Sequence, residues 1–235
     1  MKITRLSSRL IQLTRYPAVF PMNCYLVVED DGLTLVDSTT SSPADDVAAM
    51  VKQVGKQLSR IALTHAHGDH VGGVAGVRQR FPGVEVSIGR RDAPILAGDK
   101  TLLSAEPQTE VKGYFVKVDW KPDRLLQAGD RVGSLEVVAS PGHTPGHVAF
   151  LDVRDRSLIA GDALQTRGGI AVSGDLRLLF PFPAMATWSK QTALKSAVAL
   201  RELRPSLLAV GHGAAVSEPM AAMDGAIESA RHAFG

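Results

Sequence analysis

The residues best equipped for chemistry lie in one six-residue stretch, His65-Ala66-His67-Gly68-Asp69-His70. Side chains two apart in an extended or turning backbone project to the same side. His65 and His67 can therefore grip one cation together, while Asp69 and His70 point elsewhere and can serve a second. Imidazole and carboxylate are the donors zinc accepts at catalytic sites, where one position stays open for water. Three further donors stand alone: His143 within Ser140-Pro141-Gly142-His143-Thr144-Pro145-Gly146-His147, Asp162 after Gly161, and His212 between Gly211 and Gly213. Singly, a loop histidine is more often a surface or capping group, and an Asp after Gly is commonly a turn former. Joined to the first four they make seven donors, each following an apolar, strand-like run.

The elements that must position these donors alternate between strand and helix. Residues 8–13 and 23–30 are strand-like, joined by a loop over 14–22 that holds Pro17 and Pro21. Asp30-Asp31-Gly32 signals a hairpin turn into Leu33-Thr34-Leu35-Val36. Pro43 opens a helix to about residue 55, with Val47, Met50, Val51 and Val54 at helical spacing. Ile61-Ala62-Leu63 is short and wholly apolar, as a strand covered on both faces should be, and it delivers the His/Asp stretch. One helix is expected over 71–81, a strand over 84–88 and a short helix over 91–97. Residues 98–128 are polar with few periodic apolar positions and read as a surface excursion. Further strands are expected over 131–132, 135–139, 148–151, 157–160 and 207–210. Helices are expected over 187–203 and after Ser217, a capping residue with Pro219 close behind it. Two comparable halves of this kind argue for a layered α/β fold, one domain over 1–235, with ligands gathered at the carboxyl ends of the strands.

Composition narrows the partners. The chain has 235 residues, enough for a sizeable core, with 45% hydrophobic and 21% charged residues, ordinary for a globular protein. Its 26 basic and 24 acidic residues form no like-charge block, so neither nucleic acid nor an anionic membrane is expected as a partner. No apolar run approaches the roughly 18 residues of a membrane span, and residues 1–20 lack the apolar core of a signal peptide. A cytoplasmic location is expected. The lone cysteine, Cys24, excludes an intramolecular disulfide and a Cys-based zinc site, and within Asn23-Cys24-Tyr25-Leu26-Val27-Val28 it reads as a small buried hydrophobe.

Taken in order, Asp37 after an apolar strand, His65-x-His67-x-Asp69-His70, His143, Asp162 and His212 resemble the motif set of the metallo-β-lactamase superfamily over nearly the full chain. The resemblance implies an αββα sandwich, two mixed β-sheets face to face with helices on both outer faces. It also implies a dinuclear site of two Zn2+, with iron or manganese as alternatives. His65, His67 and His143 would hold the first ion, and Asp69, His70 and His212 the second. Asp162 would bridge both, and Asp37 would orient the site from behind its ligands. His147 fits a local hydrogen bond in its turn and stays outside the ligand set. His232, on the terminal helix, is expected to be exposed.

Two zinc ions about 3.5–4 Å apart can share a water and lower its pKa from ~15.7 toward ~7, so hydrolysis needs no Ser, Cys or Lys nucleophile. The ions also polarise a carbonyl and stabilise the oxyanion that develops on it. Asp69 and Asp162 are the expected catalytic proton carriers. The β-lactamases that give the superfamily its name lack an Asp at the position of Asp162, which argues against antibiotic hydrolysis. Hydroxyacylglutathione hydrolases carry a helical domain beyond the last His, and only 23 residues follow His212 here. Flavodiiron enzymes need a flavin domain, and the tRNA-processing nucleases need an RNA-gripping arm; neither is expected. The remaining likeness is to small stand-alone members, lactonases and related ester hydrolases among them. Those lactonases carry a Tyr soon after the bridging Asp, where Ala163-Leu164-Gln165 stand in this chain.

The expected reaction is therefore cleavage of a carboxylic ester, lactone or thioester in a small-molecule substrate. A mononuclear iron dioxygenase of the persulfide type is the alternative, and a phosphodiesterase or nuclease a more distant one. The loop before residue 23 and the insertion 163–186 supply candidate pocket walls, namely Phe20, Met22, Ile170, Phe180 and Phe182, with Trp188 from the helix that follows; Phe180, Phe182 and Trp188 could equally be core. The oligomeric state is open, a homodimer included.

Overall fold

In the computed structural model, which describes residues 1–235, the strands form two sheets packed face to face. The first sheet runs in sequence order: β1 (Lys2–Arg5), β2 (Leu10–Arg15), β3 (Met22–Val28), β4 (Leu33–Val36), β5 (Leu58–Leu63), β6 (Glu85–Gly89) and β7 (Arg124–Leu126). Its first four strands are antiparallel, and β4 to β7 are parallel. The second half supplies β8 (Arg131–Val132), β9 (Leu135–Ala139), β10 (Val148–Asp152) and β11 (Ser157–Ile159). A separate hairpin follows, β12 (Leu164–Gln165) with β13 (Ala171–Val172), and then β14 (Leu207–Ala209) and β15 (Val216–Ser217). The second sheet has the order β15-β14-β11-β10-β9-β8, with β11 and β14 its parallel pair.

Strand period explains why two sheets stack. Along β3, Cys24 and Leu26 point to one side, and Tyr25 and Val27 to the other, as alternating Cβ atoms must. Cys24 and Leu26 join an outer core with α1 (Ala44–Val54), α2 (Gly68–Val71), α3 (Val74–Arg80) and α4 (Asp92–Leu96). Tyr25 and Val27 meet Leu135, Val137, Val148 and Phe150 of the second sheet in a central core. The opposite residues of β10, Ala149 and Leu151, form a third core with α6 (Lys190–Glu202) and α7 (Met220–Phe234). Three apolar layers between four structural layers are the αββα sandwich. The short helix α5 (Phe182–Met185) lies apart from them, in the insertion.

Four local expectations need correction. The helix expected over 71–81 is two, α2 and α3, broken at Gly72-Gly73. A Cβ on either glycine would run into the carbonyl of Thr40 or Ser38, so the break lets the loop after β4 press against the donor stretch. Ser217 caps nothing; it pairs with Leu207 in β15, and Pro219 stands at the boundary of α7 instead. The excursion 98–128 is mostly irregular, as read, but Val111 is buried in the first core and residues 124–126 are the edge strand β7. Trp188 is core: it is 5% exposed, packs into the outer core of the first sheet, and donates its indole N–H to the Thr109 carbonyl.

Candidate metal centre

Every donor sits just past a strand. β5 delivers His65 and His67, and α2 carries Asp69 and His70 in a single turn. The turn after β9 holds His143, a short 3-10 turn after β11 holds Asp162, and the turn after β14 holds His212. The structure brings all seven together. His67 Nδ1 lies 3.1 Å from His65 Nε2 and 3.0 Å from His143 Nε2. Asp162 Oδ2 lies 3.1 Å from His212 Nε2 and 3.4 Å from His143 Nε2, and its Oδ1 lies 3.4 Å from His70 Nε2. Asp69 Oδ2 is 3.3 Å from His212 Nε2. Three ligand groups result, His65/His67/His143, His65/His70/Asp162 and Asp69/His70/His212, each with its donor atoms within 4.8 Å of one another. Asp162 thus touches members of both presumed ion sites.

Each imidazole is held from behind by the nitrogen that does not face the centre. His67 Nε2 donates to the Lys112 carbonyl at 2.9 Å, His70 Nδ1 to Asp37 at 2.8 Å, and His212 Nδ1 to the Pro21 carbonyl at 2.7 Å. Acceptors of that kind fix the ring's orientation and, when the ring is neutral, leave the inner nitrogen as a lone pair. His65 Nδ1 meets the Thr64 hydroxyl at 3.0 Å, and His143 Nδ1 the Ser173 hydroxyl at 2.8 Å. Asp37 ties several of these together, accepting from the Thr64 amide at 2.8 Å and the Thr64 hydroxyl at 2.8 Å. Its backbone sits at φ 60°, a left-handed conformation that Asp tolerates better than most residues.

Charge divides the cluster. Burial drives His65, His67 and His143 below the usual histidine range, and neighbouring histidines add to this for His65 and His143. Burial acts the same way on His212, but Asp162 and Asp69 outweigh it and push the ring up to about 10. His70 is likewise raised, by Asp162, Asp37 and Asp69 against burial. In return His212 and His70 hold the Asp162 carboxyl far below its ordinary range despite burial, and Asp69 follows the same pattern.

The donor set fits cations. His70 Nε2 and Asp162 Oδ1 are buried with no hydrogen-bond partner, and both face the centre. Buried polar atoms left so cost about 1–3 kcal/mol each unless something coordinates them. The backbone is shaped for close approach as well. A Cβ on Gly211 would strike the Asp162 carboxylate, and one on Gly113, at φ 111°, would strike the His67 ring.

Sequence reasoning missed three contributors. Asp92, fully buried in α4, accepts from the Ala66 amide at 2.9 Å, the Thr144 hydroxyl at 2.7 Å and the Gly146 amide at 2.7 Å. One carboxylate thereby clamps the stretch carrying His65 and His67 to the turn carrying His143. Burial lifts its carboxyl to about 6, with these hydrogen bonds pulling the other way. His147, set outside the ligand set, bonds locally as expected, with Nδ1 2.8 Å from the Ser140 hydroxyl. Its Nε2 also accepts the Asp162 amide at 3.1 Å. The third contributor is the excursion: besides the Lys112 carbonyl, it packs Gly113 against His67 and Tyr114 against Gly68. The repeated PGHTPGH spacing was a usable signal for His147; a backbone carbonyl has none.

A cavity of about 590 Å3 opens onto the centre, with His67, Asp69, His143, Asp162 and His212 at its floor. Phe20, Met22 and Phe182 line its wall as expected, joined by Tyr16, Tyr114 and Met185. Phe180 does not line it: the ring is 1% exposed and sits behind the wall, 4.9 Å from Phe20 and 5.3 Å from His212. Ile170 packs against the third core instead, and Trp188 against the first. The insertion is therefore core at its hairpin and wall at α5. His232 is exposed, beside Glu228.

Comparison with known proteins agrees with this geometry. The Lactamase_B family, the metallo-beta-lactamase superfamily, matches residues 18–212. An uncharacterized protein of Bacillus subtilis (strain 168), YobT, is 49% identical over 232 residues, 98% of this chain and 99% of its own. Hydroxyacylglutathione hydrolase GloC of Haemophilus influenzae is 29% identical over 158 residues, 64% of this chain and 70% of its own. Among solved structures, a metallo-beta-lactamase from Pontibacter korlensis superposes with a TM-score of 0.73 at 17% identity, covering 98% of each chain, a likeness of fold.

Proposed function

Because this chain belongs to the metallo-β-lactamase superfamily of metal-dependent hydrolases, we propose that it is a dinuclear zinc hydrolase cleaving a carboxylic ester, lactone or thioester. One observation carries the reading. Five imidazoles, each tethered by its outer nitrogen, direct the other nitrogen into one buried space shared with two carboxylates. His65, His67 and His143 would hold one ion, Asp69, His70 and His212 the other, and Asp162 both. Bound there, the ions would supply Lewis acidity toward the substrate carbonyl and acidify water for the attack.

The protein's own groups account for the rest. Asp162 is buried and held ionised by His212 and His70, so it keeps the two ligand groups in register. Asp69 is the one donor of the seven with appreciable exposure, 16% of its side chain, and it lines the cavity floor. That placement suits it to carry a proton between the reacting centre and the departing group. The aromatic wall above excludes water from the carbonyl being attacked.

The test is elemental analysis and an oxygen-uptake assay on the protein as purified, then zinc reconstitution and turnover on esters, lactones and thioesters. About two zinc ions per chain and hydrolysis of at least one class are expected. One iron per chain with oxygen consumption, or full metal loading without hydrolysis, would overturn the reading.

A further inference from the structure

The wall of the cavity differs in kind from its floor. Tyr16, Phe20, Met22, Tyr114, Phe182 and Met185 form most of it, and no Lys or Arg lines the space. Three cations of the surrounding loops are engaged elsewhere. Arg15 donates to the Ser42 carbonyl at 3.2 Å and the Thr39 hydroxyl at 3.3 Å. Arg167 donates to the Ala18 carbonyl, and Lys100 Nζ sits 3.9 Å from the centre of the Phe115 ring. Lys112 abuts His67 through its backbone carbonyl, and its side chain is not part of the lining. The loop before β3 and the insertion also carry Val19, Leu178 and Leu179, which are 80–88% exposed.

A carboxylate brought into this wall would lose hydration and find no cation to replace it. A methylene placed there gains up to about a factor of four in binding. Resting on the hydrolase reading above, we infer that the substrate is uncharged and carries an apolar acyl group several carbons long. Glutathione thioesters, with two carboxylates, and β-lactams, with one, are selected against by the same wall. The chain would then differ in substrate from the hydroxyacylglutathione hydrolase and the metallo-beta-lactamase that it resembles.

The experiment uses the zinc-loaded protein and two substrate comparisons. The first is p-nitrophenyl acetate, butyrate and octanoate. The second is S-lactoylglutathione against S-lactoyl-N-acetylcysteamine, which share the acyl group and the thioester but differ in charge. We expect kcat/KM to rise at least about tenfold from acetate to octanoate, and the neutral thioester to exceed the glutathione one at least about tenfold. Met185→Arg, at a position 67% exposed, places a cation on the wall without disturbing a core. It should shrink the octanoate advantage and raise kcat/KM for S-lactoylglutathione while zinc content stays constant. A flat chain-length series, or preference for the glutathione thioester, would overturn this inference and leave the hydrolase reading standing. Failure of the loaded protein to cleave every one of these compounds would overturn this inference, and failure on lactones as well would overturn the hydrolase reading.

Discussion

The two sides of the metal centre are built from the same residue type in opposite electrical states. His65, His67 and His143 have no carboxylate among their outer partners and are driven toward the neutral form. His70 lies between Asp37, Asp69 and Asp162, His212 faces Asp69 and Asp162, and both are driven toward the charged form. Burial is common to both, so the carboxylates decide. Three neutral rings with converging lone pairs are satisfied only by a cation, whereas the second side can close on itself as ion pairs. On the proposed dinuclear reading, the first side would be a waiting ligand set and the second a site that trades protons for metal.

Asp162 belongs to both sides, so its removal is the severest way to break the contrast. Asp162→Ala should lose metal from both and lower turnover by more than about 100-fold, beyond what loss of an outer partner costs. Elemental analysis and steady-state kinetics on the same sample check it, and a variant retaining two ions per chain would refute the shared role. Asp37→Ala acts on one side. Removing the acceptor of His70 should weaken metal binding there by about 10–100-fold while the three-histidine side keeps its ion. Stepwise titration with a competing chelator separates the two.

Asp92 tests the opposite side through stability. Asp92→Ala orphans the buried amides of Ala66 and Gly146, for an expected loss of about 2–4 kcal/mol in urea unfolding. The wild-type carboxyl is lifted from 3.8 to about 6 in the fold. The folded protein therefore binds the proton more tightly than the unfolded chain does. This contribution is fully present below about pH 4 and is lost as pH rises through about 6. Relative to Asp92→Asn, the wild type should give up roughly 2 kcal/mol of its advantage between pH 4 and pH 7. A difference that stayed level with pH would show that the carboxyl is not strained by burial. The smallest effect is expected from Ser173→Ala, under about tenfold in metal affinity. Thr187 Oγ1 lies 3.3 Å from the same His143 nitrogen and can replace the lost hydroxyl.

Much of this was legible because the signals were local. The His65–His70 stretch packs four donors into six positions, and the strands stand out as short apolar runs, as in Cys24-Tyr25-Leu26-Val27. The convergence of His143, Asp162 and His212 could be read because each follows an apolar run. The rest lacked a pattern. Asp92 acts through backbone amides far along the chain, and nothing in its neighbours marks it. Gly72 and Gly73 read as mid-helix residues until the carbonyls of Ser38 and Thr40 are seen against them. Phe180, Phe182 and Trp188 are alike in type, and only packing separates the wall from the cores.

One further consequence follows from how the excursion is made. The cage of donors rests on strand ends, but Gly113 and Tyr114, which help enclose the cavity, belong to irregular chain tied down by Val111 in the first core, by Thr109 against Trp188, and by the Lys112 and Tyr114 carbonyls, which accept from His67 and the Gly68 amide. Between those anchors the exposed side chains can be rewritten without moving any strand. On the proposed reading, selectivity could therefore drift at positions such as Tyr114 while the backbone contacts that hold the donors are kept.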